Sequence, residues 1–136
     1  MTQVSSAFVA DLELNQELEK RSKPISLGTD RVLFHQGDAP TGVYLLRKGA
    51  ATLTRQLSDE AIFSVQVGAG SLLGLPAVIG AKPYSLTAEA LEGAELSLLT
   101  REDFIDLMQT DPLLSFQVLM VLAEEVRFAR ELLLHP

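Results

Sequence analysis

From residue 25 to residue 99 the chain is cut by turn-forming residues about every ten positions: Gln36-Gly37-Asp38, Lys48-Gly49, Ser58-Asp59-Glu60, Ala81-Lys82-Pro83 and Glu92-Gly93. Glycine opens the backbone angles that tight turns use, proline fixes φ, and Asp or Ser side chains bond back to the local main chain. The segments between these turns are too short for ordinary helices, and they alternate as strands do. Phe63, Val65 and Val67 alternate with Ile62, Ser64 and Gln66, and Leu86, Ala88 and Ala90 alternate with Ser85, Thr87 and Glu89. A period of two buries one face of a sheet. The spacing predicts a mainly β fold with about eight antiparallel strands over residues 25–99, wound as a double-stranded β-helix, or jelly roll.

Helical patterns flank this region. Over residues 6–20, Val9, Leu12 and Leu18 recur at near-helical spacing, with Asp11, Glu13, Glu17 and Glu19 largely opposite, which predicts a short amphipathic helix. It ends in Lys20-Arg21-Ser22-Lys23-Pro24, where Pro24 opposes continuation. That cluster reads better as cations set against a helix C-terminus than as an anion site. Thr100 with Asp103 three residues on resembles a capping box and predicts a helix over residues 101–109. Asp111-Pro112 supplies a cap and a first-turn proline for a long helix over residues 112–134.

The long helix carries two apolar stripes. Leu119, Leu122, Val126, Ala129 and Leu133 repeat at 3-4-3-4 spacing, while Leu113, Phe116, Met120 and Ala123 line a neighbouring face. A helix that only closes a roll needs one. One stripe is therefore expected to pack on the roll and the first-named to pair with a second copy of the chain as a homodimer; a single wide apolar face is the alternative.

The 136 residues fit one domain able to bury a core without metal or disulfide. There is no Cys, so cysteine-ligated iron–sulfur chemistry is excluded. His35 and His135 are the two histidines, too few for a cupin-type metal centre, so no metal is expected. Ser71 and Ser85 lack an identifiable base, and the neighbouring pairs Asp59-Glu60 and Glu124-Glu125 point in different directions and read as solvated surface. No catalytic residue and no enzyme are expected. No run of about 18 apolar residues and no signal-peptide pattern occurs, which makes cytoplasm the default. A net charge of −7 repels a polyanion, so direct nucleic-acid contact is not expected.

Chemistry concentrates in residues 68–91, GAGSLLGLPAVIGAKPYSLTAEAL. Gly68, Gly70 and Gly74 free backbone N–H groups to turn toward an anion, and Leu75 to Ile79 can open a short helix. Yet no Arg lies between Gln56 and Thr100, and Lys82 is the only cation there. A lone amine holds phosphate less specifically than a guanidinium.

This stretch resembles the phosphate-binding cassette of bacterial cyclic-nucleotide-binding domains of the catabolite-activator (cyclic AMP receptor protein) type. That cassette runs roughly Gly-x-x-x-Gly-Glu, apolar residues, a Gly-containing turn, then Arg-Ser-Ala or Arg-Ser-Thr; Gly70, Gly74, Leu75, Gly80, Pro83, Ser85, Thr87 and Ala90 fall into its frame. Leu33 to Asp38, Gly42 to Leu46 and Lys48-Gly49 look like the family's opening strand, turn and hairpin, and the similarity covers about residues 25–134. The resemblance implies a sensor or effector domain of a transcription regulator that dimerises through its long helix. It implies a ligand site at Leu73, Gly74, Leu75, Pro76, Ala77, Lys82, Tyr84, Ser85 and Thr87, with cyclic nucleotide as ligand. Relatives continue past the long helix into a winged helix-turn-helix; with the sequence stopping at Pro136, a DNA-binding domain is expected to be absent.

Two positions depart from the pattern. The family's ribose-binding Glu is Leu75 here, and its phosphate-clamping Arg is Tyr84. Burying a phosphodiester without a paired cation costs several kcal/mol, so cyclic nucleotide binding is expected to be lost or altered. Tyr84 would make the pocket favour a neutral or aromatic effector, or fill a pocket that binds nothing, with Leu75 closing the same cavity from the facing side. A small anion on the N–H groups of residues 73–77, beside Lys82, is a third reading; Arg127 and Arg130 read as partners in surface pairs. The alternatives outside this class are a ligand-free assembly module and a metal-free cupin-like enzyme.

Overall fold

The computed structural model describes residues 3–59 and 62–134, with side chains to residue 131. In chain order the elements are β1 (Gln3–Ser5), α1 (Leu12–Glu19), β2 (Lys23–Ile25), β3 (Val32–Phe34), β4 (Gly42–Lys48), β5 (Ala50–Gln56), β6 (Ile62–Gly68), β7 (Leu72–Leu73), α2 (Leu75–Gly80), β8 (Thr87–Ala90), β9 (Glu95–Thr100), α3 (Arg101–Thr110) and α4 (Pro112–Leu134). The strands form a five-stranded sheet, β1-β6-β5-β8-β3, and a four-stranded sheet, β2-β9-β4-β7, the two layers of a jelly roll.

The alternation read in the sequence sets the register. Val65 and Val67 of β6, Ala51 and Leu53 of β5, and Ala88 and Ala90 of β8 all face inward and are buried. Strand β4 differs, burying Gly42 to Leu46 without alternation. Both its faces are covered, Tyr44 and Leu46 by the roll interior and Val43 and Leu45 by the helices. The protein thus has two cores on either side of the four-stranded sheet. The inner one holds Phe8, Phe34, Tyr44, Leu73 and Tyr84; the outer one holds Leu14, Leu18, Leu75, Leu99, Phe104 and Leu114.

The eight strands from β2 to β9 match the number expected and pair antiparallel throughout, and Gln3–Ser5, upstream of that region, adds a ninth strand parallel to β6. Two expectations need correction. The first helix does not run over residues 6–20 but over Leu12–Glu19, because Asp11 Oδ1 accepts the Leu14 N–H at 2.8 Å and fixes the start there. Its buried face is Leu14 and Leu18, and Leu12 is exposed. Secondly, neither apolar stripe named for α4 is the one that packs on the roll. Leu114, Val118 and Val121 do so, while Leu113, Phe116, Leu119 and Met120 are exposed.

The helix starts follow their caps. Thr100 Oγ1 accepts the Asp103 N–H at 3.3 Å and Asp111 Oδ1 accepts the Leu114 N–H at 3.1 Å. Arg21, from the basic cluster, bridges α1 to α3 through Asp103 at 2.9 Å and Asp106 at 3.2 Å. Arg127 pairs with Glu124 at 3.5 Å. Pro24 lies in β2, an edge strand, where a missing N–H leaves no ladder bond unmade.

Candidate functional site

The cassette is built where β7 hands over to α2. Gly74 caps α2 at φ 96°, a left-handed conformation that glycine adopts freely. A Cβ at Gly74 would also stand 2.8 Å from Tyr84 Cε1, so this glycine is demanded twice. Arg101 Nε donates to the Val78 carbonyl at 3.0 Å and ties the far side of α2 to the start of α3.

Tyr84 is 2% exposed and fixed from every side. Its ring stacks on Phe34 with centroids 3.7 Å apart. Its hydroxyl donates to the Gly42 carbonyl at 2.7 Å and accepts the N–H groups of Thr41 and Gly42, each at 3.1 Å. Its backbone exchanges bonds with the Gln36-Gly37-Asp38 turn, Gly37 N–H to Tyr84 C=O at 2.8 Å and Tyr84 N–H to Asp38 C=O at 2.9 Å. The side chain is a structural plug whose polar end is already satisfied.

Beside it lies a cavity of about 40 Å³ at the mouth of the roll. Six expected site residues line it: Leu73, Gly74, Pro76, Ala77, Tyr84 and Ser85. Leu75, Lys82 and Thr87 do not. Leu75 points through the sheet into the outer core, so it does not close the cavity opposite Tyr84. Lys82 is exposed, and Thr87 Oγ1 accepts the Gln36 N–H at 2.8 Å. The remaining wall comes from Phe8, Phe34, Leu53, Leu86 and Glu125.

Glu125 corrects the reading of Glu124-Glu125 as a solvated pair. It is 8% exposed, its Oε1 has no hydrogen-bond partner, and burial pushes its carboxyl up to about 8. The sequence does carry a signal for it. Leu114, Val118, Val121, Glu125 and Phe128 follow each other at 4-3-4-3 spacing, so Glu125 occupies a core-facing position of α4. One turn on, Phe128 meets Phe8 edge-on at 6.0 Å and Phe63 at 6.3 Å, which pins this part of α4 over the roll.

Among the expected pairing residues, Leu119, Val126 and Ala129 are exposed and Leu122 is half-buried against the outer core. Leu133 lies outside the residues whose side chains are described, as does His135. His35 is exposed, with Nδ1 3.6 Å from Asp38. Among the described residues no cluster of His, Cys, Asp and Glu suits a metal ion, and no helix is long and apolar enough to cross a membrane.

A jelly roll whose open end is crossed by a short glycine-started helix and a long terminal helix defines a class, the β-roll domains organised around a cassette. Within it, the chain belongs to the cyclic nucleotide-binding domain family, whose model matches residues 24–111. It is similar to the cyclic AMP receptor protein of Thermus thermophilus, 32% identical over 98 residues that cover 71% of this chain and 45% of that protein. It is also similar to the fumarate and nitrate reduction regulatory protein of Vibrio cholerae, 30% identical over 128 residues covering 92% and 49%. Among solved structures, the catabolite activator protein of Thermus thermophilus superposes with a TM-score of 0.77 at 26% identity, over 90% of this chain and 58% of that one. The chain spans about half the length of the curated relatives it matches.

Proposed function

We propose that these residues form a non-catalytic sensor or effector domain of a transcription regulator whose cassette keeps the family's shape but has lost, or altered, cyclic nucleotide recognition. The observation that carries this reading is Tyr84. It stands where the family resemblance puts an arginine, its hydroxyl is consumed by Thr41 and Gly42, and no Lys, Arg or His lines the cavity. A cyclic phosphate there would meet Glu125 and aromatic rings with no cation to balance it. The dissociation of Leu75 from the cavity adds that nothing at the second substituted position offers a ribose contact. Occupancy by another effector would be read through α4, because Glu125 forms part of the wall and Phe128 is clamped between Phe8 and Phe63.

Calorimetric titration with cyclic AMP and cyclic GMP tests this. The expected result is no binding heat and an unmoved melting temperature; a ligand at 100 times its Kd would add about 2.7 kcal/mol. Micromolar binding of either nucleotide overturns the reading.

The exposed apolar residues of α4 favour a second role, pairing of two copies through Leu119, Val126 and Ala129, with Leu113, Phe116 and Met120 on the adjoining surface. Sedimentation at micromolar concentration is expected to show twice the 14.8 kDa chain mass. A single species at the chain mass removes the dimer.

A further inference from the structure

The phosphate site of this family is built to hold an anion, and the cavity here has the opposite character. Its one ionisable wall group besides the hydrogen-bonded Tyr84 is Glu125, more than nine-tenths buried, with Oε1 unpartnered. Phe8 and Phe34 supply aromatic surface to the same wall, Leu53, Leu73, Ala77 and Leu86 are apolar, and Ser85 adds a hydroxyl. A buried carboxyl oxygen with no hydrogen-bond partner is rare in a folded protein. Aromatic groups close to a carboxylate are the surroundings in which organic cations are held, by charge on one side and ring quadrupoles on the other.

We propose that this cavity is a binding site for a small organic cation of the alkylammonium class, held by an N–H donated to the Glu125 carboxylate with its methyl groups against Phe8 and Phe34. The volume of about 40 Å³ leaves space for about three water-sized groups, which suits methyl- or dimethylammonium and excludes a nucleotide without rearrangement. The proposal rests on the reading that cyclic nucleotides no longer bind here, and it names what the site takes instead.

The charge state makes a signature. Without a cation, burial holds the Glu125 carboxyl up to about 8, so it is mostly protonated at neutral pH. A cation favours the carboxylate and expels that proton. Binding therefore strengthens as pH rises toward 8, by up to tenfold per unit, and levels off above it. No other group should mimic this. The facing β-roll residues and α2 contribute no charged side chain to the wall, Lys82 beyond α2 is exposed, and Glu124 and Arg127 on the same helix pair with each other at the surface.

The test is a titration of the whole chain with methylammonium and dimethylammonium chloride, followed by two-dimensional NMR of side-chain resonances. Sodium chloride at equal ionic strength, methanol and acetate serve as controls. The expected result is saturable shifts at Phe8, Leu73 and Tyr84 with the ammonium ions alone, a dissociation constant that falls with pH up to about 8, and at least tenfold weaker binding in Glu125→Gln. Shifts with methanol of equal size, binding that does not vary with pH, or no shift beyond that of sodium chloride would each overturn the proposal. If Glu125→Gln fails to fold, the pH series on the unaltered protein decides alone. A cyclic nucleotide titration run alongside separates the two readings. Nucleotide binding defeats the functional one, whereas silence toward both nucleotide and ammonium defeats only the cation site.

Discussion

The two cores on either side of the four-stranded sheet are made differently. The outer core, between that sheet and the helices, is almost wholly aliphatic, with Phe104 its buried ring. The inner core is aromatic, carries a cavity at one end, and admits a carboxylate from α4. Close-packed apolar cores hold a structure still, whereas cavities and unsatisfied polar groups lower stability and are kept where something is bound or moved. Under the proposed sensor reading, the helix side serves as scaffold and the roll interior as the part that responds.

The largest effect should come from breaking the scaffold side. Phe104→Ala removes a fully buried ring at the junction of α3 with the outer core and should cost about 3–5 kcal/mol by denaturant unfolding. A loss under about 1 kcal/mol would show that the outer core is looser than its packing implies.

Glu125 sharpens the contrast on the other side. Its folded pKa, about 8, lies above the unfolded value, so its contribution is most favourable below the unfolded pKa and declines as pH rises through about 8. Glu125→Gln should flatten that decline and leave the variant on the order of 3 kcal/mol more stable than the parent at pH 9, measured as the difference between their stability–pH curves. Parallel curves would mean that Glu125 is solvated in the native state.

Gly74→Ala should cost about 2 kcal/mol, because alanine would have to adopt φ near 96° and its Cβ would press on a Tyr84 ring held by Phe34 and Gly42. A thermal melt equal to the parent's would show that the ring can yield. The smallest effect is expected at Ser97, whose buried Oγ has no partner and which lies across from Leu45 on β4. Ser97→Ala should shift stability by less than about 1 kcal/mol, in the stabilising direction. A clear loss would reveal a bond that the hydroxyl makes.

How much of this was legible in the sequence differs along the same lines. Half-buried strands declare themselves by alternation, so Phe63 to Val67 and Leu86 to Ala90 could be read directly, while β4, covered on both faces, shows no period at all. A three-residue strand such as β1 carries too little pattern to be seen. The long helix misled because it is apolar almost all round, and sequence spacing cannot say which of three rows meets the roll. That ambiguity also hid Glu125, since a glutamate beside a glutamate looks solvated until the row holding Leu114 and Val121 is known to face inward. Within the cassette, Leu75 and Tyr84 looked like neighbours in one pocket. They belong to different cores, because side chains along this stretch alternate between the two, Leu73 and Ala77 to the inner and Leu72, Leu75 and Val78 to the outer.

Strand β1 has a consequence for the order in which the molecule assembles. Its partner in β6 lies about sixty residues away along the chain, it forms only three pairings, and it is an edge strand. A contact so distant in sequence and so small in area closes late, after the roll that receives it exists. Phe8 follows it by three residues and is held at the cavity by a bond of its own, from the Leu72 N–H to its carbonyl at 2.9 Å. The amides of β1 should exchange with solvent well before those of central β5, while Phe8, with its carbonyl on the Leu72 N–H and its ring on Phe128, keeps the wall of the cavity in place as the strand beside it opens.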